Sequence, residues 1–119
     1  MTKMISTETV MTFSLPEEAV LDIIEGAGSW IGYWATDGDV STENQTYTIT
    51  DLESEERFTL YFPQIVKAAS LLATGQVSVH SDIRSAIMGA FINYEDADLD
   101  AECYDCIIQV ACFKDVIYG

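Results

Sequence analysis

Cys103-Tyr-Asp-Cys106 has the two-residue gap shared by zinc sites and dithiol redox motifs. A structural zinc needs four ligands. Only Cys112 and His80 remain to complete the set, and His80 lies on another segment. A redox pair belongs at a helix start, where the dipole lowers a thiol pKa. Here the pair falls inside an acidic helix, which raises it, so free buried or half-buried thiols are expected. Asp96-x-Asp98-x-Asp100-x-Glu102 alternates like a calcium loop. Such a loop needs glycine at its sixth place and glutamate at its twelfth; counted from Asp96, those places hold Ala101 and Ile107. No metal is therefore expected. Acids in a first helical turn complement the dipole, so the bland reading is a helix start beside a solvated loop. The alternative is a recognition surface.

Glu53-Ser-Glu55-Glu56 is the second dense acidic cluster. His80 is the sole imidazole, and no Ser–His or Cys–His arrangement can be argued around it. Gly26-Ala-Gly28 is not followed by the lysine of a phosphate loop. No catalytic residue and no cofactor is expected, and the chain reads as a non-enzyme.

Twenty Asp and Glu against five Lys and Arg give a formal charge of -15 over 119 residues. Forty-nine per cent of the residues are hydrophobic, with two Trp, six Tyr and five Phe. That is the composition of a folded protein, not of an acidic tail. The length suits one domain, 1–119. Five scattered cations (Lys3, Arg57, Lys67, Arg84, Lys114) cannot release counterions from a phosphate backbone, so direct nucleic-acid binding is not expected. An anionic membrane surface is disfavoured for the same reason. No apolar run approaches the roughly 20 residues that span a bilayer, and Met1-Thr2-Lys3-Met4 has no secretion-signal pattern. By size scaling the surface carries about one carboxylate per 320 Å². Self-repulsion on that scale costs stability. A chain that tolerates it is built either for high salt or to meet something basic. Halophile surfaces are acidic nearly everywhere, whereas here only two segments are dense.

The elements that position these residues follow from periodicity. Thr9–Ser14 alternates as a strand. Ser14 and Glu17 have capping-box spacing around Pro16, and the helix carrying Val20, Leu21, Ile23 and Ile24 should end at Gly26 and Gly28. Trp30–Ala35 reads as a further strand, with a continuation of helix after a kink as the other reading; its aromatics Trp30, Tyr33 and Trp34 are core by default, with a binding platform or oligomer contact as the alternative. Asp37-Gly38-Asp39 is a turn signal. Residues 45–51 and 57–62 alternate and should form a hairpin, with Tyr47 and Ile49 on one face and Glu53–Glu56 at its tip. Pro63 opens a helix that Gly75 stops. Ser81 or Asp82 caps the next, with Ile83, Ile87, Ala90 and Phe91 on one stripe. The last helix starts near Asp98 or Asp100, runs to about Phe113, and turns Cys103, Ile107, Val110 and Ala111 inward. The predicted fold is α+β: an antiparallel sheet of about four strands against about four helices, in two layers.

Two stretches carry a resemblance. Glu25–Trp34, with Ile31-Gly-Tyr-Trp34 after its glycines, resembles the "EGG-I-x-YW" segment of small phage and mobile-element proteins. Asp98-Leu-Asp-Ala, Asp105-Cys-Ile-Ile-Gln and the ending to Gly119 are similar to their "ID-A…D-IIQ-A-LFG-IVYG" close, departing at Cys112 and Lys114. Together they cover about a third of the chain. The resemblance implies a viral context, the cytoplasm of a host cell, and an inhibitor of host defence of anti-CRISPR or anti-restriction type.

The expected mechanism is imitation of nucleic-acid charge. Duplex DNA carries about one negative charge per 1.7 Å of axis, and opposite fields speed association. The partner would be a basic nucleic-acid-binding protein or complex of the host. The expected contact residues are Glu53, Glu55 and Glu56 at the hairpin tip, with Asp96, Asp98, Asp100 and Glu102 at the last helix start. The two patches, or one of them with Glu17, Glu18 and Asp22, must line up. The alternative is a sponge for a signalling nucleotide, or an oligomeric binding module, using Trp30–Trp34 with Arg84.

Overall fold

A computed structural model describes residues 2–8 and 11–119. Its elements are α1 (Glu17–Trp30), β1 (Ala35–Ser41), β2 (Thr46–Asp51), β3 (Arg57–Tyr61), α2 (Phe62–Ala73), α3 (Ser81–Ile92), a 3-10 turn (Tyr94–Asp96) and α4 (Ala101–Phe113). Among the described residues the strands form one antiparallel meander, β1-β2-β3. The α+β class is as expected. Of the strand expected at Thr9–Ser14, residues 9 and 10 lie outside the described residues, and 11–14 form no strand.

The hairpin follows from β2's alternation, which buries Tyr47, Ile49 and Asp51 on one face. Leu60 of β3 joins them in the core. The helices cover that face. α4 is the central element, packed against α1, α2 and β3. It is buried along Cys103, Cys106, Ile107, Val110 and Ala111, so the expected inward face is the observed one.

Three local expectations are corrected. Gly26 and Gly28 do not end α1, which runs on to Trp30. A Cβ on Gly26 would lie 2.4 Å from the Tyr104 ring, so this glycine lets α1 and α4 approach inside a continuous helix. Trp30–Ala35 is not a strand: Trp30 closes α1, Ile31–Trp34 turn the chain, and β1 starts at Ala35. Asp37-Gly38-Asp39 lies within β1, where the register with β2 shifts between Asp37 and Val40. Gly38 is needed there because a Cβ would meet the Thr48 carbonyl at 2.1 Å.

Capping differs too. Pro16, not Ser14, is the N-cap of α1, and its carbonyl accepts from Ala19 N–H at 2.9 Å. The first turn is then favoured by Glu17 and Glu18 against the dipole. His80, not Ser81 or Asp82, caps α3: its Nδ1 accepts from Asp82 N–H at 3.1 Å. Pro63 opens α2 as expected, with Gln64 Oε1 accepting from Tyr61 N–H at 2.7 Å. Gly75, at φ 76, ends that helical stretch.

Candidate functional site

Residues 97–100 run extended into α4, and their alternation sorts two kinds of side chain. Asp98 and Asp100, with Glu102, face a cleft of about 450 Å³ against α3, where Asp82 and His80 form the other wall. Ala97 and Leu99 face a cleft of about 400 Å³ against α1, rimmed by Glu18, Asp22 and Glu95. Tyr94 donates to Asp22 Oδ2 at 2.9 Å and pins the 3-10 turn to α1. Burial and that hydrogen bond push the Tyr94 phenol pKa up, so it stays a donor.

Two of the expected contact residues also have structural duties. Asp100 is the N-cap of α4, its Oδ1 accepting from Cys103 N–H at 3.0 Å. That hydrogen bond holds its carboxyl below the ordinary aspartate range. Asp96 accepts from Asn93 Nδ2 at 2.8 Å. Asp98 and Glu102 are exposed, and no described hydrogen bond or ion pair engages their carboxylates.

The hairpin tip adjoins this face through the C-terminal segment. Tyr118 donates to Asp51 Oδ1 at 2.9 Å and reaches Glu53 Oε2 at 3.3 Å. The same tyrosine walls a cavity of about 580 Å³ together with Tyr33, Glu102 and Asp105. Of the two patches, only the 96–102 segment, through Glu102, lines this cavity; the hairpin tip is linked to it by the Tyr118 hydroxyl alone. Glu55 and Glu56 are exposed on the tip, with Glu55 at φ 61 in the turn that Asp51 organises. Asp51 is 3 % exposed. Burial alone would raise its pKa; hydrogen bonds from Ser54, Tyr118 and the Glu53 and Ser54 amides outweigh that and lower it.

Among the described residues, the one ion-pair geometry is His80 Nδ1 with Asp82 Oδ2 at 3.6 Å. No lysine or arginine therefore neutralises a described carboxylate by contact, and none lines the three acidic concavities. Arg57 directly follows Glu56 and opens β3 at the hairpin tip, while three other cations lie away from these concavities. Lys67 and Lys114 share a recess between α2 and α4, and Arg84 lies against Gly75 at the end of α2. A further groove of about 590 Å³ is also elsewhere: it is mainly apolar, lies between residues 11–15, α1 and α2, and is flanked by Lys67. Residues 58–81 contain no Asp or Glu. That gap leaves β3 after Arg57, α2 and the α2–α3 connection without acids.

A buried polar network supports the face, and sequence reasoning missed it. Gln109, 1 % exposed, donates to Asp105 Oδ1 at 2.9 Å and to the Tyr118 carbonyl at 3.1 Å. Its Oε1 accepts from Ile117 and Tyr118 N–H at 2.9 and 2.8 Å. Asp105 also accepts from Trp34 Nε1 at 2.9 Å and from the Tyr33 hydroxyl. Two signals were available. Gln109 is the one polar residue in Cys106–Cys112, with Asp105 one turn before it, and Asp51 shares the parity of Tyr47 and Ile49.

The aromatic stretch divides. Ile31 and Trp34 are core, whereas Trp30 and Tyr33 are 62 % and 56 % exposed. Arg84 lies against Gly75 and does not line the cavity beside Tyr33. Cys103, Cys106 and Cys112 are free thiols. Burial pushes their pKa values to about 12, 11 and 12, which keeps them protonated. Among the described residues, no group of three His, Cys, Asp or Glu is placed to hold a metal ion, and no helix is long and apolar enough to cross a membrane. Comparison with protein-family models, curated proteins and solved structures finds no match to the chain.

Proposed function

We propose that this protein is a non-enzymatic inhibitor of phage type that occupies the nucleic-acid groove of a basic host protein, such as a CRISPR-Cas effector or a restriction enzyme. The observation that carries the reading is the uncompensated acidic face. Carboxylates from α1, the 3-10 turn, the 97–102 segment and α3 border adjoining concavities that no lysine or arginine lines. Uncompensated charge of this kind is costly to a free protein and useful against a cationic groove. Its mounting suits a rigid mimic, because Asp100 caps a helix and Asp22 is tied to Tyr94. At the hairpin tip Glu53 meets the Tyr118 hydroxyl, and Glu55 and Glu56 are exposed beside it.

The test is competition for duplex DNA on purified effector complexes and restriction enzymes. The protein should displace DNA, and Glu18→Lys/Glu95→Lys/Asp98→Lys should not. This set spares the Asp96 and Asp100 bonds that hold the fold. Equal displacement by the wild type and the charge-reversed variant would remove the reading.

A further inference from the structure

The cavity of about 580 Å³ beside Tyr33 differs from the other two acidic clefts in having a mainly apolar lining. It is lined by Tyr33, Tyr118, Val116 and Cys106, together with Asp105 and the exposed Glu102. Asp105 is half-buried. An ionised carboxylate offers about four acceptor sites. Trp34, Gln109 and Tyr33 supply three donors, and one site remains. All three donors are neutral, so the negative charge persists. Burial first, and then the bond to Asp105, raises the Tyr33 pKa and keeps its hydroxyl donating. The cavity therefore combines aromatic faces, an apolar wall and two carboxylates, and no lysine or arginine lines it.

Those features select the ligand. An apolar wall accepts a methylene stem, while the carboxylates and phenol rings attract a cation. A planar guanidinium fits better than an ammonium, because it can stack on a ring, fork to the Glu102 carboxylate and still reach the one acceptor site left on Asp105. We infer that this cavity is an anchor site for a single arginine side chain of the basic partner. The inference rests on the acidic-face reading, and it converts a diffuse charge match into a specific contact. Arginine seated in a desolvated pocket is a common interface hot spot.

The probe is Nα-acetyl-arginine amide, titrated into the intact protein and followed by NMR at the Trp34 indole N–H, which is bonded to Asp105. The Trp30 indole is the internal reference. The expected result is a saturable Trp34 shift with a Kd on the order of millimolar, weaker binding of the lysine analogue, and no binding of the neutral citrulline isostere. Tyr33→Ala, at an exposed position, should weaken the arginine probe roughly threefold through loss of the ring face. Glu102→Gln should weaken it by a similar factor, whereas Glu43→Gln on the β1–β2 turn should not. A flat Trp34 titration, a lysine analogue that binds with the affinity of arginine, or any binding of citrulline overturns the assignment. If the probe fails while charge reversal still abolishes DNA displacement, the anchor site falls and the acidic-face reading stands. If the probe binds while displacement survives charge reversal, the acidic-face reading falls, and with it the role of the cavity at a partner.

Discussion

Gln109→Leu tests the internal framework that holds the acidic face together. The wild-type amide makes three bonds to the C-terminal segment, at 2.9, 2.8 and 3.1 Å, and one to Asp105 at 2.9 Å. Each is worth about 1 kcal/mol net, which sets a ceiling of about 4 kcal/mol. Two effects lower it. Ile117 is 54 % exposed, so the freed amides recover water in part. Leucine also buries apolar surface where an amide stood, returning about 1 kcal/mol. The expected loss is about 2 kcal/mol, or a fall in Tm of roughly 8 °C for a domain of this size. Urea denaturation reads the first quantity, and amide hydrogen exchange at Ile117 and Tyr118 locates it. Those two amides should lose protection while β2 keeps its own. A loss below about 0.5 kcal/mol with unchanged exchange at both amides would show that Gln109 does not clamp the segment, and the account of the cavity wall would fail with it.

Further outcomes follow from other contacts. Gly26→Ala should destabilise by about 1–3 kcal/mol, because its methyl meets the Tyr104 ring at 2.4 Å, whereas Gly32→Ala has nothing within 4 Å and should be near neutral by the same melt. Asp100→Ala should cost about 1 kcal/mol of cap energy and Asp100→Asn much less. The Asp100 carboxyl is lowered in the folded state, so its charge stabilises above the unfolded aspartate value of about 3.9 and that contribution is lost as pH falls through the folded value. The stability gap between wild type and Asp100→Asn should therefore close on acidification below about pH 4; a gap that widened would contradict the assignment. With thiol pKa values of about 11 to 12 set by burial, the three cysteines should ignore a disulfide reagent at neutral pH and react only in denaturant; rapid native-state labelling of Cys103 would count against its burial.

Much of the fold was legible because some segments have only one way to hide their apolar side chains. Tyr47 and Ile49 alternate in a short strand, and Ile65, Ala69 and Leu72 repeat along one helix; both patterns led to the observed burial. Local rules failed where a tertiary contact overrode them. Gly26 would end an isolated helix, but under the Tyr104 ring it permits one to continue. Asp37-Gly38-Asp39 would turn an isolated chain, yet the Thr48 carbonyl against Gly38 makes it a strand irregularity. The acidic clusters could be read from composition. The placement of Glu95, Asp98, Asp100 and Glu102 around concavities shared with Glu18, Asp22 and Asp82 could not, because it depends on how α1 and α3 flank the 97–100 segment. The Asp105–Gln109–Tyr118 network was hidden for a related reason: its members are a helix apart from the residues they bind, and only packing brings Trp34 and Ile117 to them.

The most direct measurement is displacement of a labelled DNA duplex from a purified host effector by the wild-type protein and by Glu18→Lys/Glu95→Lys/Asp98→Lys, each across a salt series. Charge mimicry predicts displacement that weakens steeply as salt rises and disappears in the reversed variant while its melting curve stays cooperative. Displacement that ignores salt and survives the reversal would contradict it.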